Sequence, residues 1–167
     1  MLYPVDNRHF TGILTPDRSY PLAGASPVLF MHPFFTDYEP NPPQEHIETT
    51  AHYKARRDAF FASRQEPVVV FESEGYFDYF ASKIMNTGNV SQLYFVETKK
   101  DQPIPMSESS WKQIHNFFRL FKSDIRVAGG FIQENENPEH RGCLGYAMHL
   151  LEREGFSVDV MSDLVFP

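Results

Sequence analysis

Cysteine is almost missing from this chain. Cys143 stands alone, so no disulfide can close within the chain and a disulfide-stapled secreted scaffold is excluded. A lone thiol suits a reducing compartment. No apolar run approaches the ~20 residues that cross a bilayer. The opening MLYPVDNRHFTGIL also lacks the basic start and apolar stretch of a signal peptide. No membrane partner and a cytoplasmic location are the expectations.

Positive charge is also short. Fifteen Lys and Arg stand against 22 Asp and Glu, for a net charge of -7. Nucleic-acid backbones are held by clustered cations, so no nucleic-acid partner is expected. The densest basic group, Lys54, Arg56 and Arg57, reads as a solvated helix face. Neither G-x-G-x-x-G nor a P-loop occurs, which removes the usual phosphate cradles; no cofactor is expected. The seven histidines are scattered. His46 and His52 are six apart and leave a helix on different faces, and His140 with Cys143 supplies only two ligands. No metal site is therefore expected, and His32 with Asp37 is where one would be sought.

What the chain does have is apolar bulk: 41% hydrophobic residues and sixteen phenylalanines among 167. That is enough for one domain with a sizeable core. The surplus of phenylalanine points to a subunit interface as well, in a homodimer.

Residues 1–26, broken by Pro4, Gly12, Pro16, Pro21 and Gly24, read as an irregular arm with one short strand near Ile13; residues 27–167 form the domain. PVLFMHPFF (27–35) predicts a strand that ends near Met31 or His32, because Pro33 cannot continue the ladder. After a proline-rich loop, 44–64 predicts a polar helix with a thin apolar stripe through Ile47, Ala51, Ala55 and Ala59. PVVVFES (67–73) and SQLYFVETK (91–99) are continuous apolar runs, the pattern of strands buried on both faces. Between them, 73–88 predicts a helix capped by Ser73 and stopped by Gly88.

Trp111, Ile114, Phe117, Phe118 and Phe121 recur at helical spacing over 107–123, and DIRVAGGFI (124–132) is a strand ending in glycines. Helix 142–155 presents Leu144, Ala147, Leu150 and Leu151, and 156–166 is the last strand. Alternation of this kind implies a three-layer α/β/α sandwich around a doubly wound, Rossmann-like sheet of five or six mainly parallel strands. Ligands bind such sheets beyond the carboxyl ends of the strands, where strand order reverses. That rule draws attention to His32 and Asp37, Glu72 and Glu74, Glu97 and Lys99, the 129–143 loop with Gly129 and Gly130, and Asp163. Glu72 and Glu74 suit a paired acid and base, or plain capping of the helix that follows.

Cys143 reads in two ways. At the start of a helix its thiolate is stabilised by unpaired N–H groups and the helix dipole, which suits a nucleophile. A free cysteine is also among the most buried residue types and packs as a small hydrophobe.

The segment RVAGG, then Cys143, Ala147 and Gly155, then VDVMSDL with Asp163, resembles the isochorismatase-like cysteine hydrolases. The likeness covers about 60 residues from 107 on, and the first hundred through element order alone. It implies that Cys143 attacks a carbonyl or amide-like carbon of a small molecule and that Lys99 or Lys100 steadies the charges. The acid it implies is Asp37, or Glu72 or Glu74 in its place, with Glu72, Glu74, Gly129 and Gly130 lining the substrate. The alternative is a non-catalytic α/β scaffold for ligand sensing or protein–protein contact.

Overall fold

The computed structural model describes residues 2–4, 26–37, 42–73, 75–76, 79, 82–83, 93–99, 109–121 and 124–166. Most of the predicted arm, most of the predicted helix 73–88, Glu74 and Lys100 lie outside them.

The strands are β1 (Leu2–Pro4), β2 (Val28–Met31), β3 (Val68–Ser73), β4 (Leu93–Thr98), β5 (Ile125–Gly130) and β6 (Val158–Phe166). The α-helices among the described residues are α1 (Ile47–Ser63), α2 (Ser109–Phe118) and α3 (Gly142–Arg153). One sheet runs β1-β4-β3-β2-β5-β6. Strands β2 to β6 are parallel to their neighbours, and β1 joins β4 antiparallel. The parallel part starts in the middle at β2, runs outward through β3 and β4, then crosses back to β5 and β6, as expected of a doubly wound sheet. The order therefore reverses between β2 and β5, where Met31 pairs with Gly129.

Strand β2 stops at Met31, as Pro33 requires. Among the described residues of the arm Leu2–Pro4 is a short strand, and Pro4 is tolerated there because β1 ends the strand order. The position near Ile13 lies outside the described residues.

Alternation along the buried strands splits the core into two layers. One layer joins Leu29, Met31, Val69, Phe71, Val96 and Val127 to Ile114, Phe117 and Phe118 of α2 and Leu144, Ala147 and Leu151 of α3. The stripe expected on α2 is the face that packs, and so is that on α3 apart from Leu150, which is half-buried outside this layer. The other layer joins Val28, Phe30, Val68, Val70, Phe95, Leu164 and Phe166 to Tyr53 and Phe61 of α1. Phe61 stacks on Phe30 at 5.2 Å between ring centroids.

On α1 the expected apolar stripe is a surface. Ile47 is 52% exposed, and Ala51, Ala55 and Ala59 face solvent. The buried face carries Thr50, Tyr53, Arg57 and Phe61. Alanines remove little area from water, whereas Tyr53 and Phe61 each remove far more, so the large rings set the helix rotation. Arg57, read as solvated from its charge, is carried inward with them and is 2% exposed.

Strand β6 is irregular. Val160 pairs with Val127 and Val165 with Gly129, so Ala128 alone faces residues 161–164. This bulge swings Leu164 into the α1 layer.

Candidate functional site at the carboxyl edge of the sheet

The carboxyl ends of β2, β3 and β4 place His32, Glu72, Ser73 and Thr98 side by side, all buried. His32 is a non-glycine residue with φ of 46°, a left-handed turn that histidine adopts more readily than most residues. The turn aims the ring across the sheet, where Nε2 lies 3.0 Å from Thr98 Oγ1. The Glu72 carboxylate accepts from the Phe34 N–H at 3.4 Å and the Ser73 N–H at 3.3 Å. Sequence reasoning found Glu72 and passed over Thr98, whose role depends on a neighbour 66 residues away.

Asp37 lies beyond β2 in a 3₁₀ turn over Phe35–Asp37. Its carboxylate is 2.9 Å from Arg57 Nη1, 3.5 Å from Lys54 Nζ and 2.8 Å from the Tyr79 hydroxyl, which donates to it. Burial pushes the Asp37 carboxyl up, but the hydrogen bond and charge of Arg57, then Tyr79 and Lys54, outweigh burial and hold it below the usual carboxylate range. Tyr79 is in turn pushed up to about 12, by burial and by its bond to Asp37. Arg57 also donates to the Pro33 carbonyl at 3.2 Å and pairs with Asp58 at 3.0 Å. Its guanidinium lies 4.2 Å from the Phe34 ring centre. Tyr53 donates to the same carbonyl at 2.9 Å. The segment 33–37 is thus clamped onto α1.

The depressed Asp37 contributes stability that is fully present above the unfolded value, about 3.9, and is lost as pH falls through the lower folded value. Urea denaturation of wild type and Asp37→Asn should therefore show a gap that is constant above about pH 5 and narrows below about pH 4. A gap that widens on acidification would contradict this assignment.

Gly129 and Gly130 sit where the strand order reverses. Gly129 has φ of 114°, and a Cβ on it would fall 1.9 Å from the Met31 carbonyl oxygen. A Cβ on Gly130 would fall 2.8 Å from the Phe35 ring. These two glycines admit Met31 and Phe35 at close range. The Phe35 ring fills the space above Gly130 and meets Phe131 at 4.8 Å and Phe166 at 5.0 Å.

Cys143 occupies the first turn of α3, half-buried against the layer that holds α2 and α3. Gly142, at φ of 77°, turns the chain into the helix under Phe131, and the Gly145 N–H donates to the Phe131 carbonyl at 3.2 Å. The preceding loop is pinned by Gln133 N–H to the Arg141 carbonyl and by Arg141 Nε to the Asn135 carbonyl. Lys99, just past β4, is exposed, and among the described residues it makes no ion pair. Asp163 is exposed in the β6 bulge. Three of the residues singled out from sequence thus have separate surroundings: Asp37 with α1, Cys143 with the α2–α3 layer and Lys99 in solvent. Among the described residues no group of three His, Cys, Asp or Glu side chains forms a metal-binding set, and no helix is long and apolar enough to cross a membrane.

On the α1 side, Phe35, Thr36, Pro42, Pro43, His46, Thr50, Phe131 and Phe166 are the described residues that line a half-open pocket of about 190 Å³. It lies at the carboxyl ends of β5 and β6, beside the reversal in strand order. Sequence reasoning missed it because its walls come from four separated segments.

Compared with protein-family models, curated proteins and solved structures, the chain matches none.

Proposed function

We propose that the chain binds a small molecule at the carboxyl edge of its sheet and carries out no cysteine-dependent hydrolysis. The pocket beside the reversal in strand order supports the binding half of this reading, and one observation carries the rest: the Asp37 carboxylate is bound by Arg57, Lys54 and Tyr79. A base works best when its pKa lies near the operating pH. A carboxylate held this firmly in its charged form, on the α1 side, is a poor acceptor for a thiol proton.

Iodoacetamide labelling of Cys143 tests the reading. The folded protein should label slowly at pH 6–7, with a rate that climbs with pH toward the free-thiol value of roughly 8.5. Fast labelling that is flat across pH 6–7 would overturn it.

A second reading has one specific support: Cys143 is only half-buried in the first turn of the helix that follows the reversal in strand order. On this reading the chain is an isochorismatase-like hydrolase in which Glu72 replaces Asp37. Glu72 takes the thiol proton, the sulfur attacks a carbonyl carbon, and the amine leaves with that proton. Water then releases the acyl group from sulfur, and Lys99 steadies the developing charge. Fast labelling at neutral pH, slowed by Glu72→Gln, is the result this mechanism requires.

A further inference from the structure

We infer that His115 is an acid-sensitive latch: its neutral ring seats Phe156, in the turn between α3 and β6, on α2, and protonation loosens that seat. The latch lies in the layer opposite α1 and is independent of the small-molecule reading above. His115 stands between two rings. Its centroid is 5.6 Å from that of Trp111, one turn back along α2, and 5.9 Å from that of Phe156. Phe118 meets the same Phe156 ring edge-on at 6.2 Å.

A ring nitrogen decides the sign. Nε2 of His115 is buried and has no hydrogen-bond partner among the described residues. A neutral imidazole can turn a bare lone pair to this dry side. An imidazolium must place an N–H there with no acceptor, and burying a charged group without a partner is costly. Attraction of a cation to the Trp111 and Phe156 faces offsets part of that cost, but the Arg119 guanidinium already lies 5.7 Å from the Phe156 ring centre. Two opposite charges act on His115, Arg119 from α2 and Glu154 from just past α3, and they pair with each other at 3.2 Å. Burial, opposed by Glu154 and aided by Arg119, holds the imidazole below the usual histidine value.

The latch reaches the end of β3. Trp111 also packs on Phe71 at 5.3 Å, and Phe71 directly precedes Glu72 in that strand. His115 thus ties the turn before β6 to the ring that backs the carboxyl end of β3.

Trp111 is the only tryptophan in the chain, and an imidazolium in contact with an indole quenches its emission. Wild-type emission should therefore fall on acidification, with a midpoint below about 6.5, the value of a free histidine. His115→Phe keeps a ring between Trp111 and Phe156 and cannot titrate, so its emission should stay level. A histidine held low in the folded chain weakens the fold as pH drops, from about 6.5 until the folded midpoint is passed. In urea denaturation, the stability difference between wild type and His115→Phe should be constant above about pH 7.5. Below that, wild type should lose about tenfold in folding constant for each pH unit between its midpoint and the free value. Loosening itself is read at the Phe156 N–H, which donates to the Leu151 carbonyl at 3.1 Å. Its hydrogen-exchange protection should drop below the midpoint in wild type and hold in His115→Phe. A midpoint at or above about 6.5, an emission change retained in His115→Phe, a flat stability difference, or Phe156 protection that survives protonation would each overturn the inference. NMR titration of the His115 ring gives the midpoint from wild type alone, and decides by the same limit should the variant not fold.

Discussion

Gly129→Ala should prevent the chain from folding, or destabilise it by more than about 4 kcal/mol, the range reserved for the severest single substitutions. Two independent costs combine. The φ of 114° is a conformation that an L side chain rarely adopts, and strain of that kind costs on the order of 1–3 kcal/mol. The new methyl would also fall 1.9 Å from the Met31 carbonyl oxygen. That oxygen belongs to the paired strand β2, in register with Gly129, so the only relief is to part the two strands at the centre of the sheet. Circular dichroism and urea denaturation would read the outcome. Wild-type stability in this variant would show that β2 and β5 are not in this register. Gly155→Ala is the control: it also has positive φ, but nothing lies within 4 Å of its added Cβ, so it should cost only the strain.

Arg57→Ala is expected to cost about 3–5 kcal/mol, the usual result of removing one partner from a buried pair. The guanidinium is 2% exposed and serves Asp37, Asp58, the Pro33 carbonyl and the Phe34 ring together. Truncation would leave the inward-facing Asp37 carboxylate with the half-exposed Lys54 and Tyr79, and would open a gap beneath the 33–37 turn. Arg57→Met fills the volume but leaves the same carboxylate short of its main partner, so it should recover only part of the loss. Combining Arg57→Met with Asp37→Leu removes both charges and should recover more than Arg57→Met alone, because the cost lies in the unpaired carboxylate. A double variant no better than the single one would show that packing against Phe34, rather than charge, sets the value of Arg57.

Much of the architecture was legible in the residues. The buried strands show continuous apolar runs, and Val68, Val69 and Val70 pack on both faces of the sheet. The α2 stripe follows helical spacing because Ile114, Phe117 and Phe118 are all large and all turn inward. On α1 the same logic failed. A stripe of alanines competes poorly with two aromatic rings, and the inward arginine is acceptable because Asp37 and the Pro33 carbonyl, twenty or more residues away, join Asp58 to meet it. The site was less legible still. Cys143, Lys99 and Asp37 were each placed near a strand or helix end by local pattern, but local pattern carries no information about partners. Arg57 and Tyr79 claim Asp37 through tertiary contacts. The His32–Thr98 bond and the aromatic pocket likewise exist only once separated segments meet.

The two margins of the sheet bear on how this chain behaves in a crowded solution. A run such as VVVF would be a template for strand addition if it lay at an open border. Here it is sealed in the interior between β2 and β4. One border is a three-residue strand ending in proline, and the other is kinked where 161–164 leave the ladder. Among the described residues neither offers a long flat row of free amides, a feature that discourages growth of the sheet from one molecule into the next.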